Sequence, residues 1–255
     1  MKLAISGKGG AGKTTLTALL CLSFASEGKK VLAIDADPTA NLAGTLNFPD
    51  PEKIIPVIAM SNLIEERTGA KPGTSGSVFK LNPKVDDIPE KYSYAHNGIK
   101  FMVLGAIRNA SAGCACPENT FLKSLLQHLV LERDEVVIVD MEAGIEHLGR
   151  GTLAGIDALV IVVEPGRKSL DVAGRIFALA KQLGLKKICF VANKVRTQED
   201  LAFIKKNLPE KQHLTGSLPY SEELLAIDRG MPLQTAFKSF SENVKAIINE
   251  VTGNQ

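Results

Sequence analysis

The chain has 255 residues, of which 45% are hydrophobic, which is enough for one large hydrophobic core or two small ones. Its 30 basic and 28 acidic side chains give a formal net charge of +2, which argues against nucleic acid as a partner. No apolar run approaches the roughly 18 residues that span a bilayer, and the first residues lack the pattern of a secretory signal, so we expect a cytoplasmic protein with no membrane partner.

Seven short apolar segments predict the strands of a sheet. Their hydrophobicity is continuous rather than alternating, as burial on both faces of a parallel sheet requires, and most are separated by segments of helical length. They are KLAIS (2–6), KVLAIDA (30–36), IKFMVLG (99–105), EVVIVD (135–140), ALVIVVE (158–164), KICFVAN (187–193) and TGSLPY (215–220). The repeated strand-helix-strand pattern predicts the α/β class, with a doubly wound, mostly parallel sheet flanked by helices.

Five segments with helical periodicity and end signals predict the helices between these strands. They are Lys13 to Glu27, Asn119 to Glu132, Arg167 to Leu183, Gln198 to Leu208 and Phe240 to Val251. Residues 69–98 interrupt the rhythm with Gly, Pro and charged residues, and we interpret them as a surface excursion with one short strand at VFKL (78–81). Because the sheet pattern resumes directly afterwards, we expect residues 1–255 to form a single domain.

The first predicted strand leads into a glycine-rich motif. GKGGAGKT, residues 7–14, matches G-x-x-x-x-G-K-[ST] and opens into the first predicted helix, so it predicts a P-loop NTPase. The glycines let backbone N–H groups surround phosphates, Lys13 is placed to contact the terminal phosphates, and the Thr14 hydroxyl is placed to bind Mg²⁺. The residues of this segment predicted to bind the nucleotide are Gly9, Gly10, Ala11, Gly12, Lys13, Thr14 and Thr15.

Three aspartates stand at the ends of two predicted strands, at the edge where open parallel sheets bind ligands. Asp140, at the end of EVVIVD, fits the Walker B role of holding a water on Mg²⁺. Asp37 is a candidate for the reaction centre, and the alternative is a turn-forming role before Pro38. The sequence leaves the role of Asp35 open.

The base preference is predicted from ANKVR (192–196), which resembles the N-K-x-D motif of guanine-binding GTPases. Position 196 is arginine, which has no acceptor for the two guanine N–H groups that the aspartate of that motif binds. We therefore expect ATP and ADP rather than guanine nucleotides, and an ATPase reaction that yields ADP and phosphate.

The second lysine of GKGG, Lys8, is not required by the plain P-loop pattern, and with it the loop resembles that of the deviant Walker A group of ATPases. This group includes the cell-division and plasmid-partition ATPases and the nitrogenase iron protein. The resemblance implies a nucleotide-sandwich homodimer in which Lys8 reaches the partner's phosphates, with Asp37 orienting the attacking water. It also implies that residues 140–151 are the switch after Walker B, and that Asn193 and the region around Pro219 contact adenine.

Four segments narrow the resemblance to the CooC-type ATPases, which serve nickel insertion into carbon monoxide dehydrogenase. They are GKGGAGKTT, IDADPTANLAG, DMEAGIEHLGRG and CAC. The resemblance covers nearly the whole chain and implies a metallochaperone or maturation factor whose client is a nickel enzyme. Two alternatives are a positioning or partition-type ATPase and an electron-transfer ATPase that carries an iron-sulfur cluster.

Two of the four cysteines, Cys114 and Cys116, lie in GCACPENT, where core packing explains little. Two thiolates are too few to close a four-ligand soft-metal site, and a disulfide between positions this close is strained. The dimer that the resemblance implies would supply the missing ligands, since a two-fold axis near the pair would bring four thiolates together for Ni²⁺ or Zn²⁺. The alternatives are His147 as a third ligand within one chain and a solvent-facing loop with incidental cysteines, whereas Cys21 and Cys189 are expected to pack in the core.

Overall fold

The computed structural model describes residues 1–37, 39–73, 78–105, 117–131, 135–142, 144, 155–227 and 229–253. The strands in these residues are β1 (Lys2–Gly7), β2 (Val31–Asp35), β3 (Tyr94–His96), β4 (Ile99–Val103), β5 (Val136–Asp140), β6 (Ala158–Val163), β7 (Ile188–Val195) and β8 (Leu214–Pro219). They form one eight-stranded sheet in the order β3-β4-β2-β5-β1-β6-β7-β8. β3 runs antiparallel to β4, and the other neighbouring pairs are parallel.

The α-helices in the described residues lie between and after these strands. They are α1 (Lys13–Ser26), α2 (Leu42–Thr45), α3 (Ser61–Thr68), α4 (Ile88–Tyr92), α5 (Pro117–Leu131), α6 (Arg167–Gln182), α7 (Gln198–Asn207), α8 (Glu222–Ile227) and α9 (Leu233–Thr252). Short 3₁₀ helices occupy Pro51–Lys53, Val57–Ala59 and Pro209–Lys211. None of the described helices is both long and apolar enough to cross a membrane.

Burial on both faces of the sheet explains why its central strands are continuously apolar. Every residue of β1, β2, β5 and β6 is buried. Leu3 and Ile5 belong to a core that includes residues of α1 and α9, whereas Ala4, between them, belongs to a second core with residues of α5 and α6. The sheet is therefore the middle of three layers, and the predicted doubly wound α/β class is confirmed.

The predicted elements correspond to β1, β2, β4 to β8 and the five longest helices, with shifted ends. The main difference is α9, which begins at Leu233 rather than at Phe240. The predicted strand at 78–81 is wrong, because these residues form no strand and Val78 is 95% exposed, so it lacks the half-buried surface that a strand needs. The organisation of residues 1–255 as a single domain stays a prediction, although every described strand joins one sheet.

The surface excursion contains α4 and β3, which the sequence analysis missed. β3 and β4 are joined by a two-residue turn, Asn97 and Gly98, with φ of 49° and 77°. Positive φ at both positions is typical of a type I′ hairpin turn, for which Asn-Gly is the strongest sequence signal. The dipeptide in YAHNGIK therefore already indicated this hairpin.

Candidate nucleotide-binding site

A cleft of about 660 Å³ opens at the carboxyl ends of the parallel strands. It lies beside β1, which has β5 on one side and β6 on the other, so that the strand order reverses there, and open α/β sheets bind ligands at such a point. The predicted site residues in its lining are Gly9, Gly10, Gly12, Lys13, Thr14, Thr15, Asp37, Asn193 and Pro219. The structure thus brings together the P-loop, the loop after β2 and the ends of β7 and β8.

Backbone conformation shapes the P-loop between β1 and α1. Gly10 and Gly12 have φ of 77° and 94°, in the left-handed region that favours glycine. A Cβ on Gly12 would also overlap the amide nitrogen of Asn193, so position 12 excludes larger residues on two grounds. Helix α1 begins directly at Lys13, and its first turn faces the cleft, where the partial positive charge of a helix N-terminus favours phosphate.

Asn193, near the end of β7, holds the P-loop through its buried side chain. Its Nδ2 donates to the carbonyl oxygen of Ala11 over 2.8 Å, and its Oδ1 accepts from the backbone N–H of Lys194 over 2.9 Å. Ala11 is itself fully buried, so it supports the loop from behind rather than lining the cleft. A positioning role for Asn193 follows from these bonds, while its predicted contact with adenine stays a prediction.

Asp140, the last residue of β5, meets the first turn of α1. The Thr14 hydroxyl donates to Asp140 Oδ2 over 2.6 Å, while Oδ1 is buried with no hydrogen-bond partner among the described residues. Burial raises the pKa of the Asp140 carboxyl from 3.8 to about 7, and the charge of Asp35 adds to this rise, against the opposing effects of the Thr14 hydrogen bond and the Lys13 charge.

The surroundings of Asp140 fit a magnesium ion bound with nucleotide. A buried carboxylate oxygen without a partner is costly unless a cation or donor reaches it, and oxygen ligands are those that Mg²⁺ prefers. The Thr14 hydroxyl is the second oxygen at this point, and it lines the cleft. Thr14 and Asp140 are thus the residues placed to hold the ion, which would supply positive charge beside the phosphates.

Asp35 organises the loop that follows β2. It pairs in register with Asp140 on the neighbouring strand, but its carboxylate accepts from the backbone N–H groups of Asp37 and Leu42, each over 3.0 Å. Burial raises the pKa of Asp35 from 3.8 to about 6, and the two backbone hydrogen bonds oppose this rise. The role that the sequence left open is therefore structural, because Asp35 fixes the segment that presents Asp37.

Asp37 lines the cleft and also forms a turn. Its Oδ1 accepts from the Thr39 backbone N–H over 2.8 Å and from the Thr39 hydroxyl over 2.7 Å. This local bonding is the turn-forming role that the sequence analysis gave as the alternative. Its position in the cleft also permits contact with a water beside the terminal phosphate, so its catalytic role stays a prediction.

Lys8 does not line the cleft of its own chain. Its side chain instead contacts Glu164, the residue that directly follows β6. Its Nζ donates to Glu164 Oε1 over 2.7 Å. Lys194 joins this group, since its Nζ donates to the carbonyl oxygen of Gly10 over 2.6 Å and lies 3.7 Å from Glu164 Oε2. Sequence analysis missed Glu164 and Lys194, although both stand at the carboxyl ends of predicted strands, where ligand-binding residues are expected.

The far end of the cleft is less polar and follows β8. It is lined by Pro219, Tyr220, Leu224, Leu225 and Ile227. The Arg196 guanidinium lies 3.5 Å from the centre of the Tyr220 ring, a close stacking distance that holds the ring in place. A small apolar wall of this kind fits the flat face of a purine base.

The predicted metal ligands Cys114, Cys116 and His147 lie outside the described residues, as does most of the predicted switch at 140–151. Within the described ranges, no cluster of three or more His, Cys, Asp or Glu side chains could hold a metal ion. Cys21 and Cys189 are buried free thiols, as predicted. The thiolate site therefore stays a prediction.

Replacing Asp140 with asparagine is expected to stabilise the nucleotide-free protein at about pH 8, because asparagine removes a buried charge and keeps an acceptor for Thr14. The unfolded chain releases this proton near 3.8 and the folded chain near 7, so the stability contributed by the carboxyl falls as pH rises between these values. We expect a gain of about 1–2 kcal/mol, or roughly 2–8 °C in the thermal midpoint. The measurement is thermal unfolding at about pH 8 and about pH 5. If the stability gain of Asp140→Asn is not smaller at about pH 5 than at about pH 8, the buried charge of Asp140 is not its cause.

The fold and the site are those of a P-loop ATPase with a second lysine in its phosphate loop. The family described as the CobQ/CobB/MinD/ParA nucleotide binding domain matches residues 2–233, and the chain belongs to this family. Within it, the chain is a CooC-type ATPase of the deviant Walker A group, as its sequence motifs predicted.

Two relatives support the family assignment, and one solved structure shares the fold. The chain is 46% identical over 231 residues to the carbon monoxide dehydrogenase accessory protein CooC of Rhodospirillum rubrum, covering 90% of this chain and 87% of that protein. It is 45% identical over 254 residues to an uncharacterised ATP-binding protein of Methanocaldococcus jannaschii, covering 98% and 97%. The MinC:MinD cell division protein complex of Aquifex aeolicus matches with a TM-score of 0.69 over 99% of this chain and 96% of that chain, and at 21% identity it shows the fold alone.

Proposed function

We propose that this ATPase works as a nucleotide-sandwich homodimer that couples ATP hydrolysis to nickel insertion into carbon monoxide dehydrogenase or a related nickel enzyme. The observation that carries the proposal is the 46% identity to a carbon monoxide dehydrogenase accessory protein, over 90% of the chain. Nickel is the cargo in this proposal, and ATP with Mg²⁺ drives the cycle.

The geometry of the cleft supports the proposed roles in ATP hydrolysis. The P-loop and the first turn of α1 line the cleft, where Lys13 would contact the terminal phosphates and Thr14 would hold Mg²⁺. Asp140 would hold a water on the ion, and Asp37 would orient the water that attacks the terminal phosphorus atom. Arg196 stacks on Tyr220, which lines the apolar wall after β8. Because arginine has no acceptor for the N–H groups of guanine, we propose that this wall contacts adenine.

The position of Lys8 supports the proposed dimer. Its ammonium group is held at Glu164 and not in the chain's own cleft, so the phosphates of the same chain are left to Lys13. In the proposed dimer, Lys8 reaches a nucleotide bound in the second copy of the chain. Charge supplied from a partner stabilises the transition state of phosphoryl transfer.

The cysteine pair supplies the proposed nickel site. Cys114 and Cys116 lie between β4 and α5 in the chain, and their two thiolates need further ligands to close a soft-metal site. A two-fold axis near the pair gives four thiolates, which suits Ni²⁺ in flattened geometry and Zn²⁺ in tetrahedral geometry. Because nucleotide and metal then select the same dimer, each is expected to tighten binding of the other.

Replacing Cys114 or Cys116 with serine is expected to abolish binding of one metal ion per two chains and to leave nucleotide binding intact. Calorimetric titration with Ni²⁺ and Zn²⁺, with and without a non-hydrolysable ATP analogue, measures the metal stoichiometry, and light scattering measures the mass. The coupling between nucleotide and metal is expected to be about 5- to 100-fold in affinity.

Cys189→Ala serves as the matched control, because its thiol is buried in the core and lies far along the chain from the pair. Unchanged metal binding by both serine variants, or stoichiometric binding by monomeric protein, contradicts the shared site. Iron with broad visible absorption in anaerobically purified protein would favour an electron-transfer ATPase instead.

A further inference from the structure

Glu164 stands between two lysines at the rim of the nucleotide cleft. It directly follows β6, and its two carboxylate oxygens face different cations: Oε1 accepts from Lys8 over 2.7 Å, and Oε2 lies 3.7 Å from Lys194 Nζ. The side chains of Lys8 and Glu164 are 34% and 22% exposed. The contact is therefore partly shielded from water and stronger than a fully exposed pair.

Lys194 is anchored on the other side of this carboxylate. Its backbone has a positive φ of 58°, which is uncommon for a residue other than glycine, and its Nζ donates to the Gly10 carbonyl of the P-loop over 2.6 Å. The second cation is thus held in place by the loop itself. When Lys8 leaves, Glu164 keeps a neighbouring positive charge, and the carboxylate is not left uncompensated.

We infer that Glu164 is a positioning residue that restrains Lys8 within its own chain, and that Lys8 must exchange this carboxylate for the partner's phosphates when the dimer forms. This inference rests on the proposed dimer, and it adds that Glu164 opposes dimer formation by holding Lys8 within its own chain. Two arrangements alternate: Lys8 paired with Glu164 in the free chain, and Glu164 paired with Lys194 when Lys8 spans the interface. The several negative charges of bound ATP outcompete one carboxylate, whereas an empty partner cleft does not.

Two measurements on the full-length protein test this restraint. The first is the rate at which acetic anhydride modifies Lys8 in the nucleotide-free protein, read by mass spectrometry, because an amine held as a charged pair reacts slowly. The second is the protein concentration of half-maximal dimerisation with Mg²⁺ and a non-hydrolysable ATP analogue. Glu164→Gln removes the charge and keeps the size of the side chain, and Glu210→Gln is the matched control, since it removes a carboxylate paired with Lys181 at 2.7 Å on the exposed surface.

Glu164→Gln is expected to raise the rate of Lys8 modification several-fold. It is also expected to lower the half-maximal dimerisation concentration by about fourfold, because forming a dimer breaks two Lys8–Glu164 ion pairs and each pair changes the dimerisation constant by a factor of about two. Glu210→Gln is expected to change neither. Weaker dimerisation of Glu164→Gln would overturn the inference, because Glu164 would then guide Lys8 in the dimer rather than restrain it.

The two measurements separate the restraint from the dimer. Modification of Lys8 is measured without nucleotide, so an unchanged rate in Glu164→Gln overturns the restraint and leaves the dimer standing. A wild-type protein that stays monomeric with the ATP analogue contradicts the proposed dimer itself, and with it the exchange of Lys8 between partners.

Discussion

Replacing Lys8 with alanine is expected to slow ATP hydrolysis by about 10³-fold or more, since cationic side chains supplied from a partner are worth roughly 10³- to 10⁵-fold in other NTPases. Nucleotide binding is expected to persist, because Lys8 does not line the chain's own cleft. Single-turnover hydrolysis and equilibrium binding of a fluorescent ATP analogue measure the two effects. Lys29→Ala, on the exposed surface beyond α1, is the charge-matched control.

Mixing two inactive variants tests whether Lys8 acts on the partner. In a heterodimer of Lys8→Ala and Asp37→Asn, one cleft keeps its own Asp37 and receives Lys8 from the other chain. An equal mixture is therefore expected to regain about a quarter of wild-type turnover, because about half of the dimers are mixed and each has one intact site. Wild-type turnover of Lys8→Ala alone, or no recovery in the mixture, contradicts the action of Lys8 across the interface.

Replacing Asp37 with asparagine is expected to lower the hydrolysis rate by about 10²- to 10⁴-fold, the usual range for a group that acts on the attacking water. The substitution separates two roles of this residue, because the asparagine carbonyl oxygen still accepts the two hydrogen bonds from Thr39. Binding of ATP with Mg²⁺ is expected to stay within a few-fold of the wild type.

Asp37→Ala provides the comparison, since it removes both the carboxylate and the turn. Equal hydrolysis rates in the asparagine and alanine variants, both far below the wild type, point to the carboxylate as the group that matters. Normal hydrolysis by Asp37→Asn would show that Asp37 only shapes the turn.

The P-loop and the strand-end aspartates were predictable because their chemistry is local. The spacing of glycine, lysine and threonine within residues 7–14 follows from what a phosphate needs at a strand-to-helix junction. The continuous apolar strands indicated a parallel sheet, and such a sheet places Asp37 and Asp140 at one edge. The sequence analysis therefore located most of the cleft.

The contacts that hold the cleft together were not predictable, because they join distant strand ends. Asn193 bonds Ala11 across 182 positions, and Lys8 pairs with Glu164 across 156 positions. A single sequence shows that each residue ends a strand but not which neighbour it meets, since this depends on strand order. Strand order is set by packing in the folded sheet, where β6 and β7 lie on one side of β1.

The two buried cysteines have a practical consequence for measuring how this protein moves. Burial raises the pKa of the thiols of Cys21 and Cys189, and the thiolate is the form that reacts with alkylating dyes. Maleimide labelling of the native protein near neutral pH is therefore expected to spare these two core cysteines. A fluorescent reporter can thus be attached at another cysteine of the chain without first removing Cys21 or Cys189.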